Sequence, residues 1–503
     1  MHIEPSRTEY SELIRNSKRV PVCGQKCVPN LSPSLLYREL FKDRDDSFLL
    51  ESGKGPEATA RYSLLGASNG RSIKIQGEEA RLQDRGLSLD SQRDPMEVLD
   101  DLNFDDEIQQ ADHLPHFWGG WVGVIGYELA GLFENLPTRK SGEREIPDLY
   151  MVQVDRLLVY DHKKETLKVI VSRESGGGLK DYDAMVNDIQ TSWTRIENVL
   201  DHMEATPEQV NEQAMTFHGN NANALNGLQS DMTRGEYLES VEKAKKYIEE
   251  GDIYQANLSQ RFATAYKGDP FDLFLHLRSL NPSPFSGFLK FKDFSIVSSS
   301  PERLVKVNNF NVETRPIAGT RPRSDDPVKD QSLSTELLLN EKERAEHLML
   351  VDLERNDLGR ICKTGSVHVS DLMFLEQYSH VSHIVSNIRG ELLPQVSVKD
   401  ILRAVFPGGT ITGCPKVRCM EIINELEPRS RGLYCGSFGY IGFSRTLDLN
   451  IIIRSIVLKN GQACFHVGAG IVSDSSPERE YVETLDKAAA MVQVLSGRIN
   501  GGR

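Results

Sequence analysis

From Tyr237 onward the apolar residues recur at helical spacing: Tyr237, Val241, Ala244 and Ile248 fall on one stripe. Thr233-Arg234-Gly235-Glu236 has the order of a capping box, and Gly251 follows as a stop. A helix is predicted between them. The same logic predicts a helix from Glu341 to Arg355, with Asn340 as N-cap and Ala345, Leu348, Met349 and Leu353 as its buried face. Another follows Pro415, carrying Val417, Met420, Ile423 and Leu426. A last one spans Pro477 to Leu495 after Ser476, with Tyr481, Leu485, Ala488 and Val492 as its core stripe.

Shorter apolar runs read as strands. In the first part of the chain these are Ser47–Ser52, Arg61–Gly66 and the glycine-rich Trp118–Glu128. Met151–Val154 and Leu157–Tyr160 are expected to pair, continued by Thr166–Val171. Later come Asp252–Phe262, Phe288–Phe291, Ser295–Ser298, Leu304–Val307, Gly436–Gly442, Asn450–Leu458 and Ala463–Val467. Strands and isolated helices without regular βαβ alternation favour an α+β fold. Gly176-Gly177-Gly178 marks a break, and residues 201–231, rich in Asn, Gln, Glu, Thr and Gly, read as a linker. The expected organisation is an α+β region over 1–200, the linker, and a second α+β region over 232–497.

The chain has 503 residues, 39% hydrophobic and 26% charged, enough for a large core. A net charge of -14 argues against nucleic acid or an anionic membrane as partner. A small anionic substrate stays possible if a few cations, backbone N–H groups or a metal supply local positive charge. The seven cysteines read as reduced: Cys23 and Cys27 lack a second ligand pair, and Cys362, Cys414, Cys419, Cys435 and Cys464 sit in apolar or small-residue settings. No signal-peptide core or bilayer-length apolar run is visible, so a cytoplasmic location is expected.

Several groups could carry chemistry. Glu480, Glu483 and Lys487 share a stripe of the last helix, either as a solvated face or, with Glu346 from the 341–355 helix, as a hard-cation site. Phe406-Pro407-Gly408-Gly409-Thr410-Ile411-Thr412-Gly413 and Val467-Gly468-Ala469-Gly470-Ile471-Val472 are tight turns or anion-binding N–H arrays. The first is not a phosphate-binding loop, because Cys414, Pro415 and Lys416 break the required order. Arg454 lies inside an apolar strand and needs an anionic partner. His380 and His383 lie on an expected strand, where a histidine among apolar neighbours is more often a satisfied core residue than a catalyst.

Longer motifs add to this. Gly251-Asp252-Ile253-Tyr254-Gln255, Ser300-Pro301-Glu302-Arg303, Arg315–Thr320, Ala345–Leu353, Gly409–Arg418 and Glu480-Tyr481-Val482-Glu483-Thr484 occur in that order. In these residues the region from about 235 to 495 resembles the chorismate-utilising enzymes. That family includes the large subunits of anthranilate synthase and aminodeoxychorismate synthase and, more distantly, isochorismate and salicylate synthases. Residues 1–200 resemble the N-terminal region of the two aminating synthases. The resemblance implies two β-sheets packed together with helices outside. It implies a Mg²⁺ ion held by Glu346, Glu480 and Glu483 against the ring carboxylate of chorismate. Tyr434, Arg454, Lys487 and the N–H groups around Gly468 and Gly470 would hold substrate carboxylates, with Thr410 and Ala318 in the same wall. Glu302 matches the acid that protonates the departing 4-hydroxyl, His383 the family's active-site histidine, and Thr320 stands with them. Leu49-Leu50-Glu51-Ser52 resembles a tryptophan-binding segment, through Glu51 and Ser52. The chain shows no nucleophilic cysteine of a glutaminase, so a separate glutamine amidotransferase subunit is implied as ammonia source.

Two aminating reactions compete in that comparison. Many aminodeoxychorismate synthases carry a nucleophilic Lys where this chain has Ala318, and anthranilate synthases carry Ala. The Phe406–Gly413 pattern, Glu354 where anthranilate synthases usually have Gly, and Pro284-Phe285-Ser286 in place of Pro-Tyr-Met all point to aminodeoxychorismate synthase. The expectation is amination at C4, with anthranilate formation as the alternative and an inactive tryptophan-sensing homologue as a third reading.

Overall fold

The computed structural model describes residues 1–51, 61–84, 87–105, 108, 114–137, 146–205, 228–377 and 381–496. Their strands form two large antiparallel sheets. The first runs His2–Glu4, Arg19–Cys27, Thr166–Glu174, Arg156–Asp161, Tyr62–Ala67, Ser47–Glu51, Phe285–Lys290, Ser295–Ser300, Ser455–Lys459, Gln462–Ile471, Gln255–Ala265, Gln229–Ser230. The second runs Ile317–Pro322, Val381–Glu391, Asn311–Thr314, Arg303–Asn308, Thr446–Asn450, Ser437–Gly442, Gly120–Ile125, Leu149–Val154, Arg71–Gln76, Glu79–Asp84, Leu87–Arg93. Each sheet therefore combines strands from before and after residues 201–231. Strand Ser47–Glu51 pairs with Phe285–Lys290, and Gly120–Ile125 pairs with Ser437–Gly442.

Alternation along the strands explains the packing. Val152, Val154, Leu157, Val159 and Ile170 join Phe48, Leu289, Ile296 and Phe438 in a cluster fed by both sheets. Leu149 and Met151 face the other way, among Val351, Leu358, Ile401 and Leu402 from helices over the second sheet. Leu158 and Tyr160 likewise face helices over the first sheet, among Met185, Ile189, Phe271 and Met491. Strands buried on both faces read as continuous apolar runs, as the sequence does here. The fold is α+β, two packed sheets with helices outside.

Four local expectations change. Met151–Val154 and Leu157–Tyr160 do not pair; they belong to different sheets, and the chain switches between them at Asp155. A run that is apolar on both faces specifies neither partner nor sheet. The Asn450–Leu458 run is two strands, broken at 451–454, because the chain crosses from the second sheet to the first. Arg454 takes a left-handed φ of 50° in that break and is half-buried. The Val467–Val472 segment is largely strand, Gly468 opposing Ser259 and Gly470 opposing Asn257. The Glu341–Gly359 helix buries His347, Leu350, Val351, Glu354, Asp357 and Leu358, while Ala345 and Leu348 are exposed. Its polar residues go inside because each finds a partner: Ser386 for His347, Thr314 for Glu354 and Lys416 for Asp357.

The capping box forms as expected: Thr233 accepts from the Glu236 N–H, and Glu236 accepts from the Thr233 N–H. All seven cysteines are free thiols. Among the described residues no helix is long and apolar enough to cross a membrane.

Candidate active site

Two crossings between the sheets run side by side. Ser295–Ser300 of the first sheet continues through Pro301 and Glu302 into Arg303–Asn308 of the second. Antiparallel to it, Thr446–Asn450 continues through residues 451–454 into Ser455–Lys459. The crossings are stitched together. Ile451 N–H donates to the Glu302 carbonyl at 3.0 Å, the Ser300 hydroxyl to the Ile451 carbonyl at 2.6 Å, and Ser299 N–H to the Arg454 carbonyl at 3.2 Å. The geometry thus presents an acid, Glu302, and a cation, Arg454, from one double crossover.

Glu302 is buried, and Thr410 donates its hydroxyl hydrogen to Oε1 at 2.7 Å. Burial raises the Glu302 carboxyl to about 7, against the pull of Thr410, Arg454 and Lys487. Thr410 lies in the Gly409–Ile411 turn, which rests directly on the Glu341–Gly359 helix. A Cβ at Gly409 would stand 2.2 Å from Leu353 Cδ2, so a larger residue here would force Leu353 to shift.

His383 faces the same region from strand Val381–Glu391. Its Nδ1 lies 3.0 Å from Thr320 Oγ1 and 3.2 Å from the Gly319 carbonyl. A carbonyl only accepts, so the contact with Gly319 places the hydrogen on Nδ1. Burial, reinforced by Arg454, lowers the imidazole to about 4, so the ring is neutral at ordinary pH. A bulge between Ala318 and Thr320, with Gly319 at φ 65°, sets Thr320 opposite His383 and leaves Ala318 opposite Ile384.

The far wall is strand Gln462–Ile471 under the Pro477–Leu495 helix. Lys487 Nζ donates to the Gly468 carbonyl at 2.9 Å and pairs with Glu483 at 2.7 Å. A Cβ at Gly468 would meet the Tyr434 hydroxyl at 2.7 Å, and one at Gly470 the Gln255 amide at 2.6 Å. Tyr434 is buried and stacks on His466, with centroids 5.1 Å apart and planes at 12°. Arg431, fully buried, lies over the Tyr434 ring at 5.5 Å and pairs with Glu427 at 2.6 Å.

Glu346 and Glu480 are half-buried and electrostatically coupled. Burial raises both; Glu343, Asp474 and Glu480 push Glu346 further, and Glu483 pushes Glu480 further, while Lys342 opposes in each case. Among the described residues no three acidic, histidine or cysteine side chains converge tightly enough to cage an ion by themselves. The donors are nevertheless hard carboxylate oxygens whose mutual repulsion a divalent cation relieves. That suits Mg²⁺, which takes one or two protein carboxylates and completes its shell with water and substrate.

Glu51 stands apart from this group. Its carboxylate pairs with Arg278 at 2.5 Å and borders a separate cavity of about 390 Å³, with Tyr62, Phe285 and Tyr440. Ser52 and His380 lie outside the described residues. Two supporting groups were not among the candidate site residues, Glu354 serving there only as a feature that separates the two aminating synthases. Glu354 could have been found from the 347–351–354–358 spacing of one helical stripe. The Glu427–Arg431 pair flanks Pro428 and Ser430 and reads as a solvated loop, so no pattern signals it.

Comparisons with known proteins identify the family. Residues 45–493 match the family described as chorismate binding enzyme. The chain is 38% identical to anthranilate synthase component 1 of Acetivibrio thermocellus, over 98% of either chain. It is 40% identical to aminodeoxychorismate synthase component 1 of Bacillus subtilis (strain 168), over 93% of this chain and 96% of that one. The crystal structure of anthranilate synthase component I from Streptococcus pneumoniae TIGR4 superposes with a TM-score of 0.73 at 34% identity, covering 92% of this chain and 97% of that one. The fold, the double crossover with its acid and cation, and these matches together establish that the chain belongs to the chorismate-binding enzyme family.

Proposed function

We propose that this chain aminates chorismate at C4 to give 4-amino-4-deoxychorismate, using ammonia from a separate glutaminase subunit. The observation that carries the reading is the Phe406–Gly413 turn, whose Thr410 hydrogen-bonds Glu302. That motif and Glu354 follow the aminodeoxychorismate synthase pattern, and a relative of that name is 40% identical.

In this reading Glu302, held protonated by its dry setting, gives its proton to the departing 4-hydroxyl. Arg454 and Lys487 receive the substrate carboxylates beside the Gly468–Gly470 strand and Tyr434. Neutral His383, oriented by Gly319 and Thr320, lines the reacting face. Glu346, Glu480 and Glu483 would hold Mg²⁺, which when bound would neutralise and polarise the ring carboxylate. Glu51 would border a tryptophan site in the separate cavity. The component 1 names of the relatives support a partner that supplies ammonia.

Ala318 favours a second reading, anthranilate formation, because no lysine is present there to form an adduct at C2. The test is to incubate the purified chain with chorismate, Mg²⁺ and ammonium. A product that yields 4-aminobenzoate only after a lyase is added supports C4 amination. Fluorescent anthranilate with pyruvate would overturn it. An inactive, tryptophan-sensing chain would give neither.

A further inference from the structure

Behind Glu302 lies a second buried acid. Glu354, on the Glu341–Gly359 helix, accepts a hydrogen bond from the Thr314 hydroxyl at the end of strand Asn311–Thr314. Both residues are under a tenth exposed. The next residue along the helix toward its start, Leu353, supports the Gly409 turn, and Asp357 three residues on pairs with Lys416 at 2.6 Å. The space enclosed by Thr314, Glu354, Asp357, Gly408, Gly409 and Ile451 is only about 10 Å³. That is at the lower limit for one water.

We propose that Glu354 is a positioning residue for Glu302: by clamping Thr314 and filling the space behind the Gly408–Gly409 turn, it keeps water off the acid's rear. The inference rests on the reading of Glu302 as proton donor to chorismate. The charges facing the two acids are Arg454 from the second crossing, Lys487 from the last helix, and Asp357 and Lys416 at the turn. Burial raises Glu354 well above the ordinary carboxylate range, and Glu302 and Asp357 push it further against the pull of Thr314 and Lys416. What the clamp requires of Glu354 is its bulk and an acceptor for the Thr314 hydroxyl. An uncharged amide of the same shape can replace it, whereas a truncated side chain cannot.

The experiment measures chorismate turnover with ammonium against pH for the full chain and for Glu354→Gln, Glu354→Ala, Thr314→Val and Thr314→Ser, with Glu302→Gln as control. Glu354→Gln and Thr314→Ser should keep kcat within about threefold and leave the basic limb in place. Glu354→Ala and Thr314→Val should lower kcat by roughly tenfold or more with a much smaller change in KM. In both, the basic limb should move down from about 7, because water reaching Glu302 restores its ordinary acidity. A merely structural role would lower the melting temperature without moving the limb. If Glu354→Ala does not fold, Thr314→Val carries the same test. An unmoved limb in a folded variant overturns the role of Glu354 alone, as does a Glu354→Gln variant as impaired as Glu354→Ala. A wild-type chain that does not consume chorismate overturns the functional reading, and this inference with it.

Discussion

Thr410 donates to Glu302 Oε1 at 2.7 Å, so the same turn that closes the site also tunes its acid. Burial raises Glu302 to about 7 and Thr410 restrains it, because a donor favours the ionised carboxylate. The protonated form, the competent acid, dominates below that value. Turnover should therefore fall as pH rises through about 7, and Thr410→Val should move that limb upward. Glu302→Gln should cost about 10²- to 10⁴-fold in kcat. Steady-state rates from pH 5 to 9 check all three; a limb that moves down in Thr410→Val would contradict the assignment.

Glu346 and Glu480 repel each other across two helices. If they hold the ion, Glu346→Gln or Glu480→Gln should raise the Mg²⁺ concentration for half-maximal activity by about tenfold or more, since even residues behind metal ligands are worth that much. Titration calorimetry with Mg²⁺ should show the same loss without substrate. A chelator should stop turnover, and Mg²⁺ should restore it.

Two neutral histidines are buried, His383 at the site and His347 on the Glu341–Gly359 helix. Burial lowers His347 and His383 to about 4, from about 6.5 in an unfolded chain. A depressed histidine stabilises the fold fully above its unfolded value, and that contribution is lost as pH falls through the folded one. Unfolding free energies from urea titrations should drop between pH 6.5 and 4, by roughly 1–3 kcal/mol per histidine. His347→Gln should flatten part of that slope; an unchanged slope would remove His347 from the account.

Glu427 neutralises Arg431, whose side chain is 0% exposed and braces Tyr434. Glu427→Ala would leave a buried guanidinium uncompensated, at a cost of about 3–5 kcal/mol. Thermal melts would register this as a large loss. Glu427→Gln, which keeps an acceptor, should lose less. Equal melting temperatures for the two variants would show that the charge is unimportant.

The capping box at 233–236 and the apolar stripes at 233–249 and 477–495 were legible because they are local, although Ser476 makes no side-chain capping bond. The family motifs were legible because they hold functional side chains in fixed order. Sheet membership was not. Val154 and Leu157 look alike in sequence, yet a switch at Asp155 sends their strands to different sheets. The burial of His347, Glu354 and Asp357 was hidden for a related reason. A polar residue reads as exposed until its partner is known, and Ser386, Thr314 and Lys416 are 30 to 60 positions away. Arg454 was found as a residue that needs an anion, but its place at a crossing depends on strands that pair far along the chain.

The interleaving of the sheets has a consequence for the chain as it leaves the ribosome. Strand Ser47–Glu51 waits for Phe285–Lys290, and Gly120–Ile125 waits for Ser437–Gly442, so its partner emerges more than 300 residues later. Until then apolar edges stand open, the condition under which nascent β-rich chains aggregate or engage chaperones. The acid at Glu302 likewise waits for Arg454, which the chain supplies about 150 residues later through the 451–454 crossing.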